Sequence, residues 1–218
     1  MTRHDLRKRT GLILALDVLS ADRADLVLGS AAEFLDAVKV GYPLILAAGL
    51  PVVSCLAERL PVIADLKVAD IPNTNRLICD QVFDAGASGI IAHAFPGQDS
   101  LQACADSAAQ AGAALYVVTE MSHPGAQDFM AVRAEDMARL AVEVGAAGVV
   151  APATRPQRIS AIRKIIGPRI IISPGVGAQG GTAASALKAG ADFLIAGRSI
   201  YEAKDPGIAA QELAYLER

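Results

Sequence analysis

Short apolar runs alternate along the chain with longer segments in which apolar residues recur every three or four positions. The short runs are rich in Val, Ile and Leu and are bounded by Gly, Pro or polar residues, which is typical of buried strands. We therefore predict eight strands, at residues 11–16, 37–40, 61–66, 89–92, 114–118, 148–151, 170–172 and 192–196.

The segments between these runs have the periodicity of amphipathic helices. Ser20 is a favoured N-cap residue, and the apolar positions that follow it, to about residue 35, share one helical face. Gly86, Gly145 and Gly190 each precede a strand and are suited to end a helix. Further helices are predicted through residue 59, from Pro72 to 86, from Asp99 to 112, at 135–144 after a long loop, from 156 to 166, up to 190 and from about 206.

The order of these elements indicates the fold. Strands that alternate with helices favour a parallel sheet with helices outside it. Eight units of roughly 25 residues fill the chain, and continuous apolar strands indicate burial on both faces. We predict a single-domain α/β fold, a (β/α)8 TIM barrel over residues 1–218, in which 1–10 form an N-terminal extension.

Composition and charge exclude several classes of function. The chain is 53% hydrophobic and 20% charged with a net charge of −3, and its basic residues are scattered, so nucleic-acid binding is not expected as its main function. Residues 40–57 carry no charge, but two glycines and two prolines interrupt them, so no membrane span is expected. The first apolar run ends at Asp17, which is too early for a secretory signal.

The three cysteines indicate the compartment. Cys55, Cys79 and Cys104 are odd in number, lie far apart and lack the spacing of metal ligands. Residues of this kind are typical of a reducing compartment, where they pack as small apolar side chains. We therefore predict a cytoplasmic protein.

Charged and polar residues occupy the C-terminal ends of the predicted strands, where TIM barrels carry their active sites. Asp65 and Lys67 are two residues apart on a strand, so we expect them on the same side. With Asp17 and Lys39 from neighbouring strands they would form a neutral cluster of four charges; a structural ion pair closing a core strand is the alternative. The same mouth is predicted to hold His93, Ser122, Gln179 and Arg198.

A glycine-rich segment follows the seventh strand. Residues 175–180 match the G-x-G-x-x-G pattern of dinucleotide sites, but they lie in the seventh unit rather than in an opening βαβ unit. Together with Gly197 and Arg198 after the eighth strand, they better fit the phosphate site that barrels form at this position. The alternative is that these glycines only make turns.

Metal and serine-hydrolase chemistry are poorly supported. His4, His93 and His123 are isolated, with no partner at ligand spacing. Ser122 and His123 are adjacent, which does not by itself build a nucleophile and base. The role of His93 stays open.

Several motifs together carry a resemblance to a known family. They are Asp65-x-Lys67-x-x-Asp70, Asp17, and the segments 38–41, 119–125, 174–181 and 197–201. This combination resembles the short archaeal form of the orotidine 5′-phosphate decarboxylase family from about residue 12 to the C-terminus. The triplet alone is shared by a wider superfamily, whereas its combination with Lys39, Ser122, Gln179 and Arg198 is far more specific.

The resemblance implies a metal-free and cofactor-free decarboxylation of orotidine 5′-monophosphate (OMP) to UMP and CO2 in de novo pyrimidine biosynthesis. It implies that Lys67 stabilises and then protonates the C6 carbanion, and that Asp65 lies near the leaving carboxylate. Lys39 and Asp17 would orient these two groups and bind the ribose, and Ser122 would recognise the pyrimidine.

The resemblance also implies a phosphate site and a shared active site. Asp70 would be a further catalytic residue and, with Ile71 and Thr74, would reach the partner subunit of a homodimer. The phosphate would be bound by residues that follow the seventh and eighth strands, Pro174, Gly175, Val176, Gly177, Gln179, Gly197 and Arg198.

Three other functions remain open on the sequence. A sugar-phosphate decarboxylase or aldolase of the same superfamily would use Mg²⁺, but those relatives carry an acidic residue on the second strand, where this chain has Lys39. A Schiff-base aldolase would need a neutral Lys67, which the flanking aspartates disfavour. A barrel that binds a phosphate ligand without turnover is the third.

Overall fold

The computed structural model describes residues 6–177 and 179–215. Within them, eight parallel strands form a closed barrel in chain order, and the last strand pairs with the first. The predicted (β/α)8 TIM barrel is confirmed. The strands are β1 (Leu12–Ala15), β2 (Ala37–Gly41), β3 (Val62–Val68), β4 (Gly89–His93), β5 (Ala114–Val118), β6 (Gly148–Val150), β7 (Ile170–Pro174) and β8 (Phe193–Ala196).

Helices pack around this barrel. Ser20 caps the first of them, since its hydroxyl accepts a 3.2 Å hydrogen bond from the N–H of Arg23. None of the helices in the described ranges is both long and apolar enough to cross a bilayer. The helices are α1 (Ala21–Ala31), followed by a 3₁₀ turn (Ala32–Phe34), α2 (Tyr42–Ala48), α3 (Pro51–Ala57), α4 (Pro72–Asp84), α5 (Gln98–Ala111), α6 (Ala126–Glu143), α7 (Pro156–Ile166), α8 (Ala183–Lys188), α9 (Arg198–Tyr201) and α10 (Pro206–Tyr215).

Two predicted element boundaries were wrong. The helix expected at 135–144 begins at Ala126, so there is no long loop before it. Phe129 and Val132 lie in its first half with 83% and 76% of their surface exposed, and apolar residues on the solvent side obscure the helical period. After β8, where no helix was predicted before about residue 206, the chain forms the short helix α9.

The core has two layers, as expected for strands buried on both faces. Alternate residues of each strand face the helices, while the others, such as Ile13, Ile63 and Ile172, fill the barrel interior. The upper end of this interior layer, which includes Ile91 and Val150, reaches the mouth of the barrel. The floor of the mouth is therefore apolar.

The N-terminal extension predicted at 1–10 lies partly outside the described residues, which begin at Leu6. The buried carboxylate of Asp36 accepts hydrogen bonds from the backbone N–H groups of Arg9, Thr10 and Gly11, at 2.7 to 3.0 Å for Oδ2. Residues 9–11 are thereby fixed to the segment that leads into β2.

Candidate active site

A cavity of about 270 Å³ opens at the C-terminal ends of the strands. Its walls contain polar groups from the first, second, third, fifth, seventh and eighth strand–helix units, and its floor is formed by the apolar interior layer. The mouth of the barrel thus brings together most of the site residues predicted from the sequence. Those lining the cavity are Asp17, Lys39, Asp65, Lys67, Ser122, Pro174, Gly175, Val176, Gln179, Gly197 and Arg198.

The centre of the cavity wall is a carboxylate held between two ammonium groups. Lys39 Nζ lies 2.7 Å from Asp65 Oδ2, and Lys67 Nζ lies 2.8 Å from Asp65 Oδ1. The side chains of Lys39 and Asp65 are each 9% exposed, whereas that of Lys67 is 33% exposed. Lys67 is therefore the cation of this cluster that presents itself to the cavity.

The charge state of Asp65 follows from two opposing effects. Burial disfavours the carboxylate, but the charges of Lys39 and Lys67 and the hydrogen bonds from both ammonium groups outweigh it. The pKa of Asp65 is consequently held below its ordinary value. The carboxylate stays ionised and fixes both lysine side chains.

Lys67 has an unusual backbone conformation. Among the described residues it is the one non-glycine residue with positive φ, at 45°, and the pairing of β3 with β4 shifts register between Ala64 and Val68. The predicted meeting of Asp65 and Lys67 is confirmed, but simple strand alternation does not produce it. A left-handed residue costs of order 1 kcal/mol, and such strain persists where the surroundings hold a side chain in a required position.

Asp17 lines the same cavity from the segment after β1. Within the described part of the chain it makes no ion pair within 4.0 Å, so its predicted role in orienting Lys67 and Asp65 together with Lys39 stays a prediction. Its charge acts on Tyr201, whose pKa is raised by burial and then by Asp17. The Tyr201 phenol is therefore a stable hydrogen-bond donor in the cavity wall.

The glycine-rich loop lies across the mouth from the lysines. Gly175 has a φ of +103°, and a Cβ there would lie 3.0 Å from Thr154 Cγ2 and 3.1 Å from Ser122 Cβ. A Cβ at Gly181 would lie 2.6 Å from the carbonyl oxygen of Gly175. Close packing thus requires glycine at both of these positions. Gly177, which was also predicted at the phosphate site, does not line the cavity.

Arg198 begins α9 and lines the cavity beside this loop. No carboxylate among the described residues lies within 4.0 Å of its guanidinium group, which distinguishes it from Arg155, Arg158 and Arg163. An unpaired guanidinium next to glycine-rich backbone is suited to bind a phosphate. The segments that follow β7 and β8 thus line the same cavity, and the phosphate site predicted there stays a prediction.

Ser122 is held in the cavity wall by contacts from the next unit. The Thr154 hydroxyl donates to the Ser122 carbonyl at 3.1 Å, and Arg155 donates to the Met121 carbonyl. Arg155 is itself fixed by a 2.6 Å ion pair with the fully buried Glu120. These contacts place a hydroxyl at the cavity without regular secondary structure.

Asp70, Ile71 and Thr74 do not line the cavity of their own barrel. Asp70 and Ile71 are exposed and border a separate depression with Pro96 and Asp99, outside the mouth. Thr74 is half-buried in the first turn of α4.

Comparison with known proteins identifies the family. The model of the orotidine 5′-phosphate decarboxylase / HUMPS family matches residues 10–213. The chain belongs to this family. The orotidine 5′-phosphate decarboxylase of Methanosarcina mazei is 57% identical over 210 residues, which cover 96% of each chain. That of Methanococcoides burtonii is 56% identical over 209 residues, which cover 95% of this chain and 97% of the other.

A solved structure of the family agrees with the barrel described above. Orotidine 5′-monophosphate decarboxylase from Methanocaldococcus jannaschii, complexed with the inhibitor BMP, is 39% identical and superposes with a TM-score of 0.91. The match covers 95% of this chain and 98% of that one. The likeness therefore extends over the whole barrel rather than over a single motif.

The charge pattern of this member of the orotidine 5′-phosphate decarboxylase family bears on metal binding. In the described ranges, no group of three or more His, Cys, Asp or Glu side chains is placed to hold a metal ion. Both oxygens of Asp65 already accept hydrogen bonds from ammonium groups. A divalent cation placed there would face two positive charges, which is unfavourable.

His93, the other polar residue predicted at the mouth, ends β4 just outside the cavity lining. Its Nδ1 is buried without a hydrogen-bond partner, and its ring lies 4.8 Å from that of Phe95. Burial, and then the charge of Lys67, lower the pKa of His93 to about 4, against a smaller opposing effect of Asp65. His93 is therefore neutral at physiological pH.

The low pKa of His93 predicts a pH dependence of stability. Between the folded value of about 4 and the ordinary value of 6.5, the unfolded chain binds more protons than the folded one. The contribution of His93 is thus complete above pH 6.5 and is lost as the pH falls towards 4, by about 3 kcal/mol at most. The lowered pKa of Asp65 also stabilises the folded state, but this contribution is lost in a separate window, as the pH falls below 3.8.

Urea unfolding at pH 7 and pH 4.5 measures this effect. His93→Gln should reduce the loss of unfolding free energy between these two pH values. The exposed His123, replaced in the same way, is the matched control and should leave the loss as in the wild type. Equal losses in the wild type and His93→Gln would contradict the assignment.

Proposed function

We propose that this protein decarboxylates OMP to UMP and CO2. The observation that carries the proposal is Asp65, held between Lys39 and Lys67 in the wall of a cavity that has Arg198 and a glycine-rich loop across its mouth. A ligand with an anionic reacting group at one end and a phosphate at the other fits this arrangement. The names of the relatives identify OMP as that ligand.

Binding would begin at the phosphate. Arg198 and Gln179 would contact the phosphate oxygens, with backbone from Pro174, Gly175, Val176, Gly177 and Gly197. Asp17 and Lys39 would bind the ribose, and Ser122 would donate to or accept from the pyrimidine edge. Interactions made far from the reacting carbon can fix the geometry at C6 and thereby raise the rate.

The chemical step breaks the bond between C6 and the carboxylate carbon. CO2 leaves and the electron pair stays on C6, where the Lys67 ammonium stabilises the carbanion and then donates a proton to it. Lys67 is left neutral and regains a proton from solvent through its exposed third. Ile91, Val118, Val150 and Ile195 give the neutral CO2 an apolar surface beside the charged cluster.

Turnover in the presence of chelator tests this function. We expect purified protein, dialysed against excess EDTA, to convert OMP to UMP at the same rate as protein supplied with Mg²⁺, because every proposed step uses side chains alone. The absorbance change of the pyrimidine follows the reaction. Turnover that requires Mg²⁺ would favour the metal-using sugar-phosphate enzymes of the superfamily, and tight binding of UMP without turnover would favour a binding barrel.

We further propose that the active unit is a cytoplasmic homodimer. Tyr42 and Leu46 of α2, Ile71, Leu77 of α4 and Phe95 after β4 are large apolar residues that are 52% to 81% exposed. They belong to units two to four, the part of the barrel that also carries Asp70 and Thr74. Exposed apolar residues on neighbouring elements are typical of an interface, and contact there would bring Asp70, Ile71 and Thr74 to the partner's cavity.

A further inference from the structure

The backbone of Asp70 is held at both of its polar groups. Its N–H donates to Asn75 Oδ1 at 3.0 Å, and its carbonyl oxygen accepts a 2.7 Å hydrogen bond from the Ser100 hydroxyl. Its carboxylate accepts a further bond, at 2.7 Å, from the N–H of Ile71. Side chains from two different helices thus hold the backbone of this loop residue.

The two residues that hold Asp70 are buried and bonded to each other. Asn75 is 0% exposed and Ser100 is 3% exposed. Asn75 Nδ2 donates to Ser100 Oγ at 2.8 Å and to the Ser100 carbonyl at 2.9 Å. Both amide hydrogens of Asn75, its oxygen and the Ser100 hydroxyl are therefore used, and a fully satisfied buried network is rigid.

This network links an exposed segment to the scaffold. Ala69, Asp70 and Ile71 are exposed and lie between the end of β3 and the start of α4. Asn75 belongs to α4 and Ser100 to α5, and one turn further along these helices Cys79 and Cys104 are both fully buried. The packed face between α4 and α5 thus extends to the backbone of Asp70.

We propose that Asn75 and Ser100 are positioning residues that fix the Asp70 carboxylate for its work in the partner subunit's cavity. The inference rests on the proposed function, because it assigns these residues to Asp70 as a catalytic group. Neither residue lines the cavity, so each acts only through Asp70. In the described structure, the buried Ser100 hydroxyl donates one hydrogen bond, and its acceptor is the Asp70 carbonyl oxygen.

Ser100→Ala is the informative variant, because Asn75 Nδ2 keeps its bond to the Ser100 carbonyl while the Asp70 carbonyl loses its donor. We expect kcat for OMP to fall by about 10- to 100-fold, the usual cost of a displaced catalytic group, with KM changed by less than about threefold. Ser107→Ala is the matched control: Ser107 is also buried on α5, but its hydroxyl has no partner. It should leave kcat unchanged.

A double-mutant cycle separates positioning from general stability. In an Asp70→Ala background, Ser100→Ala should cause no further loss of kcat, because the group that it positions is already gone. Asn75→Ala, which removes the other bond to Asp70, should show the same dependence on the background. A loss of equal size with and without Asp70 would overturn the proposal.

Amide hydrogen exchange reports on the network when turnover cannot. If wild-type protein fails to turn over OMP, the proposed function has failed, and the rate of exchange at the Asp70 amide still tests the positioning. We expect slow exchange in the wild type and Ser107→Ala, and exchange at least about tenfold faster in Asn75→Ala and Ser100→Ala. Equal exchange in all four proteins would overturn the inference.

Discussion

Lys67→Ala is expected to abolish the conversion of OMP to UMP while leaving nucleotide binding intact. The variant loses both the ammonium that stabilises negative charge at C6 and the proton that C6 receives, so kcat should fall by at least about four orders of magnitude. Arg198, Gln179 and Ser122 are untouched, so UMP should still bind. Steady-state kinetics and titration calorimetry with UMP measure the two quantities.

The structure supplies the control for this variant. Asp65 keeps its 2.7 Å partner Lys39, so removal of Lys67 does not leave a buried carboxylate unpaired and the barrel should remain folded. Lys188→Ala, an exposed change on α8, should have wild-type kinetics. A rate for Lys67→Ala close to that of Lys188→Ala would refute the role assigned to Lys67.

Two variants that are inactive alone are expected to recover activity when they are combined in one dimer. Lys67→Ala and Asp70→Ala should each be nearly inactive alone. When equal amounts are unfolded and refolded together, half of the dimers carry one copy of each, and one of their two sites then combines an intact Lys67 with an intact Asp70. We expect about one quarter of wild-type activity in the mixture.

The same mixture tells whether Asp70 acts in its own subunit. If it did, every mixed dimer would contain one site without Lys67 and one without Asp70, and the activity would stay at background. A mixture of Lys67→Ala with Lys67→Ala,Asp70→Ala is the matched control, since no combination of its chains assembles an intact site. Recovery in that control would mean contamination by wild-type protein.

Much of the fold could be predicted from the sequence because strands of a parallel barrel are buried on both faces and read as continuous apolar runs. Glycines at 86, 145 and 190, all with positive φ, ended three helices where expected. The start of α6 could not be predicted, since Phe129 and Val132 place apolar residues on its solvent side. Solvent exposure of an apolar residue depends on tertiary packing, which a local pattern does not contain.

The candidate site likewise has features that could be predicted from the sequence and features that could not. Asp65, Lys67 and Arg198 could be placed at the mouth because they lie near the C-terminal ends of predicted strands, and these ends converge in a barrel. The left-handed backbone of Lys67 could not be predicted, because it depends on the shifted pairing of β3 with β4.

No role could be predicted for several residues that line the cavity or support its walls through long-range contacts. Tyr201 lines the cavity only because α9 brings it to the same side as Arg198, and a helical interpretation of 197–201 would have indicated it. Glu120 and Arg155 meet across 35 residues, and Ser100 and Asp70 across 30. Buried polar pairs of this kind leave no periodic signal in the sequence.

The fate of C6 is the most direct test of the account. Wild-type protein in D2O with excess EDTA, given OMP labelled at the carboxylate carbon, should release labelled CO2 and UMP in equal amounts, with one deuterium at C6. That result requires cleavage at the carboxylate and protonation of C6 by an exchangeable acid, as proposed for Lys67. Unchanged OMP, or product without deuterium at C6, would contradict it.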